Sequence, residues 1–351
     1  MVAAQTIPFF VGTYTQAAGH VLEPAGLGIQ SCYLDTTTGL ISFGPVYSEI
    51  ENPAWLQWRG NNLFVAYESF SGPSALYQFS VDLEQTLTLQ TKADCSGTSM
   101  CHLTLLGDTV FTAAYMSGQL DSYDASDQLR HISSIQYHGN GPNKTRQEAA
   151  HAHHIAISPD GNWYYICDLG SDRIWRHKTN DAMLIEPVGI EVPAGSGPRH
   201  LVFHPTNSTA YLLAELTAEL LTFQYESKTG DLVLKEQLST LPADFQGLAS
   251  AAGIVLHPSG KALYFSNRQH DSVNCYTIQS DGSPTFEQRV TSGGQEPRAM
   301  TVDPTGQWLL VANQDSHSIV SYQLDSVTGK LTGANTSYVN LGSPVCISFQ
   351  E

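Results

Sequence analysis

Positive charge is scarce in this chain. Its 351 residues hold 16 Lys and Arg against 33 Asp and Glu, a net charge of −17, and no stretch gathers the basic residues into a run. Nucleic acid and anionic membrane surfaces need a basic footprint, so neither is an expected partner. A small anion would also meet a repulsive overall field. Any anion site must therefore be made by a few local arginines, because exposed charges beyond about 10 Å are screened at moderate salt. Charge of either sign is low, at 14% of residues, against about 25% in ordinary globular proteins.

Other absences narrow the field further. No apolar run approaches the ~20 residues of a membrane span, and MVAAQTIPFFVGTYT lacks the basic flank and apolar core of a signal peptide. The six cysteines (Cys32, Cys95, Cys101, Cys167, Cys275, Cys346) form no CxxC pair. They fit a reduced, cytoplasmic protein with buried thiols. Sequons at Asn143, Asn207 and Asn335 argue weakly for secretion, since such triplets arise by chance in Ser- and Thr-rich chains. There is no GxSxG elbow, P-loop or dinucleotide fingerprint. The Gly-rich PAGSGPRH precedes a strand pattern, with no helix to hold phosphate. Helical periodicity is missing throughout.

What is present is a repeat. HHIAISPDGNWYYICD from His153, RHLVFHPTNSTAYLLAE from Arg199, AGIVLHPSGKALYFSNR from Ala252 and RAMTVDPTGQWLLVANQ from Arg298 share one plan. Each has an apolar stretch, a Pro-x-Gly turn or a variant of it, and a second apolar stretch ending in a polar residue. Pro159, Pro205, Pro258 and Pro304 are spaced by 46, 53 and 46 residues. Weaker copies start at Trp55 and Cys101. A seventh is assembled from the two ends: SPVCISF supplies a first strand, while IPFFVGTYT and GIQSCYLD supply the second and third. The pattern predicts an all-β protein, one seven-bladed β-propeller domain over residues 1–351. Its ring closes by joining the N-terminal strands to the C-terminal strand, which removes open sheet edges.

The propeller also predicts a site. In each blade the first strand lines the channel and the second runs back antiparallel. The start of one and the end of the other therefore share a channel mouth. His151, His153, Arg199, Arg298, Thr98 and Trp55 come from first-strand starts. Glu68, Tyr115, Asp168, Glu215, Arg268 and Asn313 come from second-strand ends. On an unbroken strand His151 and His153 leave one face and His154 the other. Arg173 and Arg176 fall on an outer strand and are set aside.

VGTYT, NGPNKTRQEAAHAHHIAISPDG, DLGSDRI, GSGPRHLVFHP, FSNRQHDSV and DPTGQWLLVANQDSHSIVSYQLD resemble the seven-bladed lactonase family. That family includes propeller-type bacterial 6-phosphogluconolactonases and the fungal 3-carboxy-cis,cis-muconate lactonizing enzyme. The resemblance spans essentially the whole chain. It implies a site of histidine, arginine, glutamate and second arginine, which fall here on His153, Arg199, Glu215 and Arg268. The usual Pro-His-x-His reads Ala150-His151-Ala152-His153 in this chain. The resemblance implies no cofactor and no metal, although an HxH pair can bind zinc or copper. Six-bladed gluconolactonases hold a divalent cation with carboxylates and Asn, types supplied here by Glu68, Asp168 and Asn313, but no spacing supports such a site.

The implied activity is hydrolysis of a sugar-derived lactone, 6-phosphogluconolactone or a relative, without metal. His153 is the natural proton shuttle. Arg199 and Arg268 suit an anion or oxyanion, and an ionised Glu215 orders the site. His151, Arg298, Glu68, Asp168, Asn313 and Tyr115 are further substrate-binding candidates. The expected partner is a small anionic lactone or carboxylate. Cyclisation of a carboxymuconate is the related alternative, and a non-catalytic propeller that binds protein through an exposed apolar face is the third.

Overall fold

The computed structural model describes residues 6–17, 20–179, 187–332 and 337–351, so the Asn335 sequon lies outside the described residues. Among them are 28 strands and no helix, and hence none long and apolar enough to cross a membrane. The strands form seven four-stranded antiparallel sheets. The predicted seven-bladed propeller is the observed architecture, and six blades follow the chain in order, over residues 53–94, 100–136, 152–191, 198–239, 251–291 and 297–340. Blade 7 is composite: Pro344–Phe349 is its innermost strand and pairs with Thr6–Thr13, followed by Ile29–Asp35 and Ile41–Tyr47. The two ends of the chain close the ring through the pairs Phe9–Phe349 and Val11–Ile347.

Period-2 strands bury both faces here because each blade lies against two neighbours. The core is accordingly divided into seven wedges rather than gathered in one place. Ala156, Cys167, Leu201 and Leu212 fill the wedge between blades 3 and 4, and Phe9, Ile347, Trp308 and Leu310 that between blades 6 and 7. The other five adjacent pairs are filled in the same way. The Pro-x-Gly turns supply the left-handed residue that such a tight return needs, with Gly161, Gly260 and Gly306 at φ of 69°, 73° and 72°.

One irregularity recurs in every sheet. Near the start of the first strand the pairing with the second slips by one residue, at Ala54, Cys101, His153, Arg199, Ala252–Gly253, Arg298 and Val345. A bulge of this kind re-aims side chains. Just beyond it, the amide that follows the second strand donates to the carbonyl that precedes the first. The seven such bonds run from Tyr14 to Ser343, Glu68 to Asn52, Tyr115 to Ser99, Leu169 to His151, Glu215 to Gly197, Arg268 to Ser250 and Gln314 to Glu296.

Trp308 tests how strongly the composite blade is held. Its indole is buried, Nε1 donates to the Thr36 carbonyl at 2.8 Å, and its ring fills the space beside Gly39. Trp308→Ala should cost about 3–5 kcal/mol in urea unfolding. A loss below about 1 kcal/mol would mean that the wedge between blades 6 and 7 adds little to closure.

Candidate active site

The repeated bonds sort the residues of one channel mouth into rings. The second-strand ends contribute Tyr14, Glu68, Tyr115, Leu169, Glu215, Arg268 and Gln314. The bulges contribute Val345, Ala54, Cys101, His153, Arg199, Ala252 and Arg298. The next residues inward include Trp55, His102, His154 and His200, from four consecutive blades.

At the centre of the first ring stands Glu215, 3% exposed. Three arginines converge on it: Arg146 at 2.7 Å, Arg199 at 3.0 Å and Arg268 at 3.0 Å. Burial alone would raise its pKa, but Arg268, Arg146 and Arg199 outweigh burial and hold the carboxyl well below its ordinary range. Arg199 is enclosed. Its Nη1 also donates to the Ala252 carbonyl and lies against His200, and burial with Arg268 nearby pushes its pKa down to about 9. Arg268 is less committed, because its Nε is buried without a hydrogen-bond partner and the Glu296 carboxylate stands 3.6 Å away.

His153 sits beside this cluster. Its ring lies edge-on to Tyr115 and His200, at centroid distances of 5.5 and 5.3 Å, and its Nδ1 is buried with no hydrogen-bond partner. Burial, reinforced by Arg199, pushes its pKa well below the usual histidine value, so the imidazole is neutral at pH 7. His151 is held differently: its ring stacks on Tyr115 at 4.4 Å, while its nitrogens meet the Tyr115 carbonyl and Glu148. Across the mouth, Arg298 donates to the Tyr14 hydroxyl at 2.8 Å, and that hydroxyl donates to Glu68 at 2.6 Å.

The mouth thus brings together His151, His153, Arg199, Arg268, Arg298, Glu68, Glu215 and Tyr115. Four residues expected there are not among them: Trp55 lies one layer inward, Thr98 stays in the turn before its strand with its amide on the Ser117 hydroxyl, and two more are turned into the blades. Asp168 and Asn313 are the last residues of their second strands, one position short of the ring, and alternation turns them into their own blades. Asp168 accepts from the amides of His151, Gly170 and Ser171, from the Ser171 hydroxyl and from the Trp175 indole. Asn313 is fully buried and donates to the Ser292 carbonyl. Their roles are structural, and the positions they were expected to fill belong to Leu169 and Gln314.

His154 is a second correction. The bulge at His153 resets the alternation, so His154 also faces the channel. It lies 4.1 Å from His102 and 4.6 Å from His200, with Trp55 4.2 Å from His102. The same four residues form a layer beneath the site, and Trp55, His102 and His154 line a cavity of about 410 Å³ that belongs to the other channel end. Burial pushes the pKa values of His102 and His200 well down and that of His154 to about 3. Among the described residues no group of three or more His, Cys, Asp or Glu side chains is placed to hold a metal ion.

Three mouth residues escaped the sequence reading: Tyr14, Arg146 and His20, whose ring stands edge-on to Tyr14 with Nε2 3.3 Å from its hydroxyl. Tyr14 belongs to the split blade, whose repeat is interrupted by the chain ends. Its signal was VGTYT itself. Arg146 lies in the long loop between Arg130–Gln136 and Ala152–Ile157, where no periodicity points to it. Gln147 anchors that loop to the Leu169 carbonyl and Asp172, and Arg146 reaches over Tyr115 to Glu215.

Comparison with known proteins agrees with the seven-bladed fold. A family model described as "Lactonase, 7-bladed beta-propeller" matches residues 8–349. The chain is 29% identical over 348 residues to the 6-phosphogluconolactonase of Bacillus subtilis, covering 97% of each chain. A crystal structure of a putative 6-phosphogluconolactonase from Bacteroides fragilis superposes with a TM-score of 0.89 at 27% identity, covering 100% of this chain and 99% of the other. The periplasmic gluconolactonase of Pseudomonas aeruginosa superposes with a TM-score of 0.88 at 25% identity, covering 98% and 99%.

The buried imidazoles carry a prediction on stability. His102, His153, His154 and His200 are neutral in the fold, with pKa values below that of the unfolded chain. The unfolded state therefore binds the extra protons, and stability present above pH ~6.5 is lost as pH falls, at about 1.4 kcal/mol per pH unit for each group. Urea unfolding between pH 6 and 5 should show a slope several times that of a single histidine. A flat profile would contradict the neutral-histidine assignment.

Proposed function

The chain belongs to the seven-bladed β-propeller lactonase family, and from that premise we propose that it is a hydrolase of sugar-derived lactones, of the 6-phosphogluconolactone kind. The relatives named above support the substrate class. The observation that carries the chemistry is His153, a neutral imidazole with an unpartnered nitrogen beside arginines pinned by one ionised carboxylate.

In this reading His153 accepts a proton as water attacks the lactone carbonyl carbon. Charge then develops on the carbonyl oxygen, which Arg268 and Arg199 stabilise from fixed positions. Such preorganised donors are worth more in a partly dehydrated site than in water. The tetrahedral intermediate collapses by breaking the bond to the ring oxygen, and His153 returns the proton to that oxygen as it leaves. The product is the open-chain hydroxy acid. Glu215 never needs to change protonation state; its work is to keep three guanidinium groups together, which would otherwise repel one another. No metal is used in these steps. The six thiols, all free and buried, suit a reducing compartment, and we place the protein in the cytoplasm.

A panel of phosphorylated and plain sugar lactones, assayed beside carboxymuconate, tests the reading. His153→Ala should lower kcat by about 100- to 10,000-fold, and Arg268→Ala by about 100- to 1,000-fold. Because the base is neutral well below pH 6.5, the acid limb of kcat/KM should lie lower than for an ordinary histidine. Unchanged turnover in both variants would remove the site assignment, and turnover of carboxymuconate alone would make the enzyme a cyclase. Activity lost to a chelator and restored by zinc or calcium would overturn metal independence.

A further inference from the structure

The four arginines of the mouth are not equivalent. Arg146, Arg199 and Arg268, from the blade 3 approach and blades 4 and 5, share Glu215. Arg298 comes from blade 6 and makes no ion pair with a carboxylate among the described residues. Its charge is balanced through a hydroxyl: Nη2 donates to Tyr14, and Tyr14 donates to Glu68. Tyr14 is 0% exposed, packed among Val21, Ala54, Val345 and Phe70, and the Arg298 guanidinium lies 5.2 Å from its ring centre. Asn52 braces the pair, since its amide nitrogen donates to the Glu68 carbonyl and its oxygen accepts the amides of Thr15 and Gln16.

This arrangement has two consequences. A tyrosine hydroxyl has one proton, and Glu68 takes it, so the hydroxyl accepts from Arg298, with His20 Nε2 as a further neighbour at 3.3 Å. That fixes the guanidinium on the ring face with one of its five donors used towards protein side chains and the partly exposed remainder free for a ligand. The second consequence is position. Blade 6, which carries Arg298, and blade 7, which carries Tyr14, lie across the channel from blade 3 and His153. A phosphate on the other side would face the Glu215 carboxylate, whereas Arg298 has no carboxylate at ion-pair distance among the described residues and meets Glu68 through the Tyr14 hydroxyl.

We propose that Arg298, held by Tyr14 and Glu68, is the subsite for the remote anionic group of the substrate, a phosphate monoester, and sets the preference for phosphorylated over plain sugar lactones. This rests on the lactone reading. Arg298 touches the ligand, and Tyr14 and Glu68 are positioning residues.

Two measurements on the full chain test it, with thermal melts to confirm folding. In calorimetric titration with inorganic phosphate, Arg298→Gln should weaken binding by about 100-fold, Arg298→Lys should keep part of it, and Tyr14→Phe should weaken it by about tenfold. In the lactone assay, Arg298→Gln should reduce the ratio of kcat/KM for phosphorylated over plain lactone by a similar factor. Tyr14→Phe should raise KM for the phosphorylated lactone more than it lowers kcat. Phosphate binding equal in parent and Arg298→Gln would overturn the subsite, as would an equal loss for both lactones. Arg298-dependent phosphate binding in a protein that hydrolyses no lactone would uphold the subsite and sink the lactone reading instead.

Discussion

Everything at the functional mouth hangs on one backbone bond made seven times: the amide that follows each second strand donates to the carbonyl that precedes the first. Buried backbone groups must be paired, and this bond pairs two of them at the point where both strands leave the sheet. With the strand ends tied, the extra residue of the first strand has to bulge. Each bond is worth only about 1 kcal/mol, so its importance is geometric. It brings one side chain from the second strand and one from the bulge to the same mouth in each blade. His153, Arg199 and Arg298 are bulge residues, and Glu215, Arg268, Glu68 and Tyr14 are their counterparts. The site is therefore a choice of residues at positions that the fold repeats.

Within those positions, electrostatics decides what each group can do. A chain of net charge −17 builds its anion site by gathering four of its few arginines and sharing one carboxylate among three of them. Removing charges from water is costly, and a buried cluster repays that cost only when its members satisfy one another. Glu215 does so for its three arginines, and Tyr14 does so at one remove for Arg298. Beneath them, Trp55 and three imidazoles whose charged forms are suppressed by burial make a neutral floor. A neutral floor leaves the arginines as the source of positive potential, while burial and Arg199 keep His153 in its basic form.

How much of this the sequence discloses follows from what a repeat can encode. The blade number, the joined termini and the channel mouth at which the arginines gather are legible, because spacing and strand period are properties of the chain itself. Asp168 and Asn313 were misplaced because second strands end in a polar residue one step before the ring position, and a pattern of polar letters does not distinguish a turn-stabilising Asp from a channel-facing Glu. Counting alternation through the HAHH segment failed for a similar reason: a bulge is one extra residue on one strand, visible only in the pairing with the other. Arg146 was hidden because loop residues obey no period, and its reach to Glu215, 69 positions away, is a fact of the ring.

Tyr14 shows the deepest link between fold and site. Its ring position exists only because Thr6–Thr13 pairs with Pro344–Phe349, and its amide bonds to Ser343, at the opposite end of the chain. The two groups it joins, Glu68 and Arg298, come from the blades on either side of the composite one. Closure of the ring and orientation of Arg298 are thus one event: an open ring has neither the tyrosine in place nor the neighbouring blades at hydrogen-bonding distance. Among the mouth residues, Glu215 and its arginines depend on blades that follow one another along the chain, with low loop-closure cost. The Tyr14 relay depends on contacts 54 and 284 positions apart. The side of the mouth that holds His153, Glu215 and its arginines can form locally, and the side that holds Arg298 and Tyr14 forms only when the last strand docks.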